Sequence, residues 1–132
     1  MADWLFVYGT LRPGSGHPMS AWLAARTRRL GRACIPGRLL RISYYPGLVP
    51  GPGQVRGDVL ELDAASRDAV LAELDRFEGC HGRDGDEYYR QAFQLTLDGG
   101  RCGEAWVYWY SGPAEGLELV AGGDWLAVAG AG

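Results

Sequence analysis

At 132 residues, with 47% apolar and 22% charged positions, the chain has the size and composition of one ordinary domain, which buries roughly two-thirds of its unfolded surface and needs no disulfides to fold. Its net charge of −3, from 13 basic and 16 acidic residues, gives no electrostatic reason to bind nucleic acid, and the one basic run, Arg26 to Arg32, reads as solvated surface. Three widely spaced cysteines (Cys34, Cys80 and Cys102), no signal-like start and no apolar run near the roughly 20 residues of a membrane span argue against a disulfide framework and a membrane span, so a reducing, cytoplasmic setting is expected.

Trp4-Leu5-Phe6-Val7-Tyr8 is apolar without alternation and stops at Gly9, which predicts a strand buried on both faces. Arg12 to Pro18 is turn-rich and predicts loop, and Met19 to Ala25 a short helix with Trp22 and Leu23 facing the core. Leu30 to Ile42 reads as two strand segments joined by a kink or turn at Pro36-Gly37. Tyr45-Pro46-Gly47 and Pro50 to Gly53 predict the next loop, because the residue before each proline is pushed towards extended geometry. Val55 to Leu62 is a strand, and Asp63 stands where a helix N-cap is expected.

Val70, Leu71, Leu74 and Phe77 form one apolar stripe of that helix, which Gly79 is placed to end in a left-handed conformation. A polar loop, Cys80 to Glu87, leads to a strand over Tyr88–Leu97, in which Phe93, Leu95 and Leu97 alternate with polar residues. Asp98-Gly99-Gly100 signals a hairpin. In the returning strand, Ala105 to Tyr110, Trp106, Tyr108 and Tyr110 share one face, and Val107 and Trp109 the other. A strand apolar on both faces suits a sheet that is curled or covered by helices. The tail from Gly112 is rich in Gly and Ala, and its end is expected to be loose. Strands dominate and the helices are few and separate, so the class is α+β, in a single domain over 1–132.

Chemistry has two places to sit. The glycine-bearing turn after the first strand exposes several backbone N–H groups, a cluster that suits a carboxylate, phosphate or oxyanion, although by itself it reads first as a hairpin or crossover turn. Glu78 falls in the last helical turn, where the negative end of the helix dipole and apolar neighbours raise a carboxylate's pKa towards the range useful to a general base; alone, it also reads as a solvated helix end. Cys80 beside His81 lacks an orienting acid for a thiol nucleophile, and His17 and His81 supply no zinc spacing. Asp84, Asp86 and Glu87 lack EF-hand spacing and read as loop solvation.

In order, these pieces resemble the γ-glutamylcyclotransferase-like (AIG2-like) family. Leu5 to Gly14 is similar to that family's first strand and substrate-binding loop, Pro36-Gly37-Arg38-Leu39 to its next strand, and Leu74-Asp75-Arg76-Phe77-Glu78-Gly79 to its Leu-Asp-x-x-Glu-Gly motif. Tyr88-Tyr89-Arg90 resembles Tyr-x-Arg, Ala105 to Tyr108 the late strand, and Gly123-Asp124-Trp125 the end. Leu40 departs from a common Tyr, and the Cys80–Glu87 loop is this chain's own.

The resemblance implies a small mixed, mostly antiparallel β-barrel with a few short helices. It implies an enzyme that closes a γ-glutamyl amine, dipeptide or isopeptide into 5-oxoproline and releases an amine. Glu78 is then the single acid/base, and Tyr8, Gly9, Thr10 and Leu11 bind substrate, with Tyr88 and Tyr108 as pocket walls. The implied partner is a small-molecule γ-glutamyl substrate, with no metal or cofactor, no nucleic acid and no membrane. An acyl-trimming enzyme of a biosynthetic pathway and a non-catalytic small-molecule binder remain alternatives on the same fold.

Overall fold

The opening apolar run forms strand β1 (Trp4–Val7), buried at every position. Helix α1 (Pro18–Ala24) follows, then strands β2 (Thr27–Arg41) and β3 (Pro46–Leu62), which form one long antiparallel hairpin. Helix α2 (Arg67–Glu78) leads to the hairpin of β4 (Tyr88–Thr96) and β5 (Cys102–Tyr110). The short strand β6 (Glu118–Leu119), a 3-10 turn (Ala121–Gly123) and helix α3 (Trp125–Ala129) complete the computed structural model, which describes residues 3–129.

Being apolar on both faces, β1 takes the middle of the sheet: antiparallel to β3, parallel to β5, in the order β4-β5-β1-β3-β2-β6. The mixed sheet curls into a half-barrel. Its flanks meet at one end, where Ala33 bridges Leu97 and the Asp98 N–H donates to the Arg32 carbonyl at 2.9 Å. Alternation divides the core in two. Phe6, Val107 and Trp109 pack with Val59, Leu95 and the C-terminal Trp125 on one face. Leu5, Val7, Tyr108 and Tyr110 pack on the other, under Leu23 of α1 and Val70, Leu71 and Leu74 of α2. Among the described residues, no helix is long and apolar enough to cross a membrane.

Several expectations need correction. Pro46 to Gly53 is part of β3, not a loop. Pro46 begins the strand, where a missing N–H costs no ladder bond, and residues 50–53 bulge opposite Gly37 alone, between the pairs Pro36–Gln54 and Arg38–Val49. The same bulge makes β2 one irregular strand in place of two segments.

Asp63 does not cap α2. Its carboxylate accepts the Ala65 N–H at 3.0 Å in a turn, and the helix starts later, with Ser66 as N-cap. Pro18 is helical, at the first position where proline fits. Phe77 leaves the buried stripe and is 39% exposed. The tail is packed through Trp125: Val120 and Trp125 are buried, and a Cβ on Gly123 would meet the Gln54 carbonyl at 2.0 Å. The terminal stretch expected to be loose, 130–132, lies outside the described residues.

Candidate functional site

Beyond β1 the chain turns sharply through Tyr8-Gly9-Thr10-Leu11. Gly9 is required by space: a Cβ there would stand 2.7 Å from Pro46 Cγ and 2.9 Å from its Cδ. The turn closes when the Arg12 N–H donates to the Gly9 carbonyl at 3.0 Å, and Ser15 Oγ donates to the Thr10 carbonyl at 2.5 Å. The Arg12 side chain is buried and pins the loop from behind: Nε to Asp58 Oδ2 at 2.8 Å, and one terminal nitrogen to Asp124 Oδ1 at 2.8 Å. Asp58 also accepts from Arg29, so the buried charges are matched. The carbonyls of Gly9 and Thr10 are thereby used. The N–H groups of Gly9, Thr10 and Leu11 donate to no other group among the described residues, which leaves them available as donors.

The second component is the end of α2. Gly79, at φ 69° and ψ 37°, terminates the helix in the left-handed region, and its N–H returns to the Arg76 carbonyl. One turn back, Asp75 ties the helix to the sheet. It takes a bidentate pair from Arg90 at 2.8 and 3.1 Å and a bond from Tyr108 Oη at 2.6 Å. Those bonds hold Glu78 in place although its own carboxylate has no hydrogen-bond or ion-pair partner among the described residues. It keeps partial contact with the cavity solvent, but the protein packed around it desolvates the charge. Burial first, and the neighbouring Glu87 second, push its pKa up to about 8.

Both components face one cavity of about 220 Å³. The structure brings together Tyr8, Gly9, Thr10, Leu11, Glu78, Tyr88 and Tyr108 on its wall. The three tyrosine hydroxyls, however, are committed to the fold. Tyr8 Oη donates to the Tyr108 carbonyl at 2.6 Å and accepts the Leu48 N–H at 3.3 Å, Tyr88 Oη donates to the Pro46 carbonyl at 2.7 Å, and Tyr108 Oη is on Asp75. These residues offer the cavity their rings, and burial raises the pKa of each phenol.

Sequence reading missed four lining residues of chemical interest: His17, Tyr45, Phe77 and Glu87. His17 Nδ1 accepts the Met19 N–H at 3.0 Å as the N-cap of α1, which assigns the ring proton to Nε2, and its ring meets Phe77 edge-on at 5.4 Å. A Pro at the following position was the available sign of that cap. Tyr45 Oη donates to Glu87 Oε2, and this bond is the main reason the Tyr45 pKa rises to about 12.

Cys80 lies off the cavity wall, and burial, then Asp75, raises its pKa, the opposite of what a thiolate nucleophile needs. Asp86 caps its own loop by accepting the His81 and Arg83 N–H groups at 2.7 and 3.0 Å. No group of three or more His, Cys, Asp or Glu among the described residues is placed to hold a metal ion.

Comparison with known proteins bears on this geometry. Residues 5–127 match the model of the family described as gamma-glutamyl cyclotransferase, AIG2-like. The gamma-glutamylcyclotransferase family protein YtfP of Escherichia coli K12 is 40% identical over 123 residues, covering 92% of this chain and 95% of that protein. The solution structure of Escherichia coli ytfP superposes with a TM-score of 0.64 over 93% of this chain and 96% of that one. A mouse AIG2-like protein superposes with a TM-score of 0.70 at 26% identity, over 89% and 85% of the two chains.

Proposed function

From the premise that this chain belongs to the γ-glutamyl cyclotransferase, AIG2-like family, we propose that it is a cyclotransferase acting on a γ-glutamyl amide (amine, dipeptide or isopeptide), with Glu78 as its single acid/base. The observation that carries this reading is an unpartnered, desolvated carboxylate sharing one small cavity with three unused backbone N–H groups.

The loop amides of Gly9, Thr10 and Leu11 hold the glutamyl end and supply donors to its carboxylate or developing oxyanion. Glu78 takes a proton from the substrate's α-ammonium. Its pKa of about 8 stands much closer to that of an ammonium than the roughly 4.3 of an ordinary glutamate does, so the transfer is far less uphill than to an unperturbed side chain. The freed amine attacks the side-chain carbonyl carbon. A C–N bond forms, closing a five-membered ring, and the original amide C–N bond breaks. The departing nitrogen receives the proton held by Glu78, the ring nitrogen's surplus proton passes to it through the same carboxylate, and the products are 5-oxoproline and the amine in its ammonium form, with no water consumed. Because both reacting groups belong to one molecule, the enzyme's task is to hold the folded conformer, and no protein nucleophile is required. The rings of Tyr8, Tyr88 and Tyr108 shape the space for that conformer.

Incubation with γ-glutamyl amides and measurement of 5-oxoproline tests the reading. The wild-type rate rises with pH through a limb near 8, as the base form of Glu78 appears. Glu78→Gln keeps shape and ligand binding but lowers turnover about 100- to 10,000-fold. Unchanged turnover in that variant removes Glu78 from the chemistry.

A further inference from the structure

The charge inventory of the cavity is one-sided. Among the described residues its wall carries two carboxylates, Glu78 and Glu87, and no arginine, although the chain contains 13 basic residues, every one an arginine. The reaction proposed above uses Glu78 and the loop amides. It gives Glu87 no contact with the substrate, only its secondary push on the Glu78 pKa, yet Glu87 is firmly placed. Its carbonyl accepts the Ser111 N–H at 2.9 Å, and a Cβ on Gly79 would lie 3.7 Å from Glu87 Cβ, so its side chain is rooted against the residue that follows Glu78. Tyr45 Oη bonds one carboxylate oxygen, Oε2, and leaves Oε1 without a partner among the described residues. Around this pair stand aromatic rings: Tyr44 meets Tyr45 edge-on at 5.1 Å, and Tyr44, 78% exposed, marks the mouth of the cavity. A fixed carboxylate among aromatic faces at the mouth of a cavity is a setting that attracts an ammonium and repels an anion.

We propose that Glu87, held by Tyr45, is a specificity-determining residue that sorts γ-glutamyl amides by the charge on the departing amine, favouring one with a distal ammonium and rejecting one with a carboxylate. The inference rests on the cyclotransferase reading for the identity of the glutamyl end, which the loop amides and Glu78 engage. What remains of the substrate then extends along the wall that Glu87 and Tyr45 supply. A carboxylate there would meet a second carboxylate with no arginine among the described lining residues to compensate it, whereas an ammonium would gain a charge-assisted hydrogen bond to Oε1.

The test separates binding from turnover by using the Glu78→Gln protein, in which Glu87 is the cavity's remaining carboxylate. Calorimetry compares three γ-glutamyl amides matched in length, those of diaminobutane, butylamine and γ-aminobutyrate. The expected order is the diaminobutane amide about tenfold tighter than the butyl amide, and the aminobutyrate amide about tenfold weaker than it. Adding Glu87→Gln compresses the three affinities to within about threefold. High salt narrows the spread while Glu87 is present, a readout that needs no second substitution. Equal affinities in the Glu78→Gln protein, or an order that persists when Glu87 is replaced, overturns the proposal. Release of 5-oxoproline from the butyl amide by the wild-type protein is scored separately. Charge-ordered binding without any release upholds the role of Glu87 and overturns the reaction.

Discussion

The loop at Gly9–Leu11 and the end of α2 at Glu78 meet across one cavity but are anchored differently. The loop is held by Arg12, whose guanidinium and its partner carboxylate on Asp58 are 6% and 5% exposed. The helix end is held by Arg90 and Asp75, at 22% and 24%. The loop offers main-chain donors, the same whatever side chains it carries, so its value lies in position alone, and a deeply buried, fully paired anchor fixes position. The helix end offers a side chain whose charge is disfavoured where it stands. Its anchor must restrain the helix without neutralising the carboxylate one turn further on, and Asp75 does so by taking both Arg90 and Tyr108 for itself.

The difference is measurable as stability. Arg12→Ala leaves the buried Asp58 with Arg29 as its one cation and takes the guanidinium from Asp124, and removing one member of a buried charge network costs about 3–5 kcal/mol. Asp75→Asn keeps a hydrogen-bonding group of the same shape in a half-buried site and costs about 1–2 kcal/mol. Urea unfolding of the two variants gives both numbers. Equal losses would mean that the two anchors do not differ as their burial indicates.

How much of this was legible in the sequence follows the same division. Local signals were enough for β1, whose unbroken apolar run demands burial on both faces, for the two faces of β5, and for Gly79 ending α2 beside Glu78. The resemblance named the loop and Glu78 together, and the anchors give its motifs a physical reason: Asp75 is tied to Arg90, and Arg12 to Asp124, each pair joining two motifs distant in the chain. Prolines and glycines misled at Pro46–Gly53, because they report local turn preference, while β3 is set by its pairing with β2. Glu87 and Tyr45 were read as loop solvation and turn because their contact spans 42 positions, and no local pattern announces such a meeting.

The helix side yields the next effect. With its folded pKa at about 8 and an unfolded value of about 4.3, Glu78 binds more protons in the native state. Its contribution to stability therefore falls as pH rises from about 4 to about 8, where the folded protein must carry a charge that burial disfavours. Glu78→Gln does not titrate. Its stability relative to wild type should be near zero at about pH 4 and grow to a gain of about 2–3 kcal/mol at about pH 8, an amount moderated by the carboxylate's partial contact with solvent. Thermal unfolding across pH measures the gap. A gap that stays constant with pH would show that the carboxylate is not desolvated, and the contrast between the two sides of the cavity would lose its electrostatic half.

The loop side yields the smallest effect, and its smallness is the point. Thr10 has no side-chain hydrogen bond among the described residues; what the structure uses is its carbonyl, bonded to Ser15, and what remains free is its N–H. Thr10→Val keeps size, branching and both main-chain groups, so kcat/KM on a γ-glutamyl amide should stay within about threefold of wild type, less than about 0.7 kcal/mol in transition-state binding. A hundredfold loss would mean that the threonine hydroxyl meets the substrate directly. The loop would then act through a side chain, as α2 does through Glu78, and the asymmetry between the two sides would be one of burial alone.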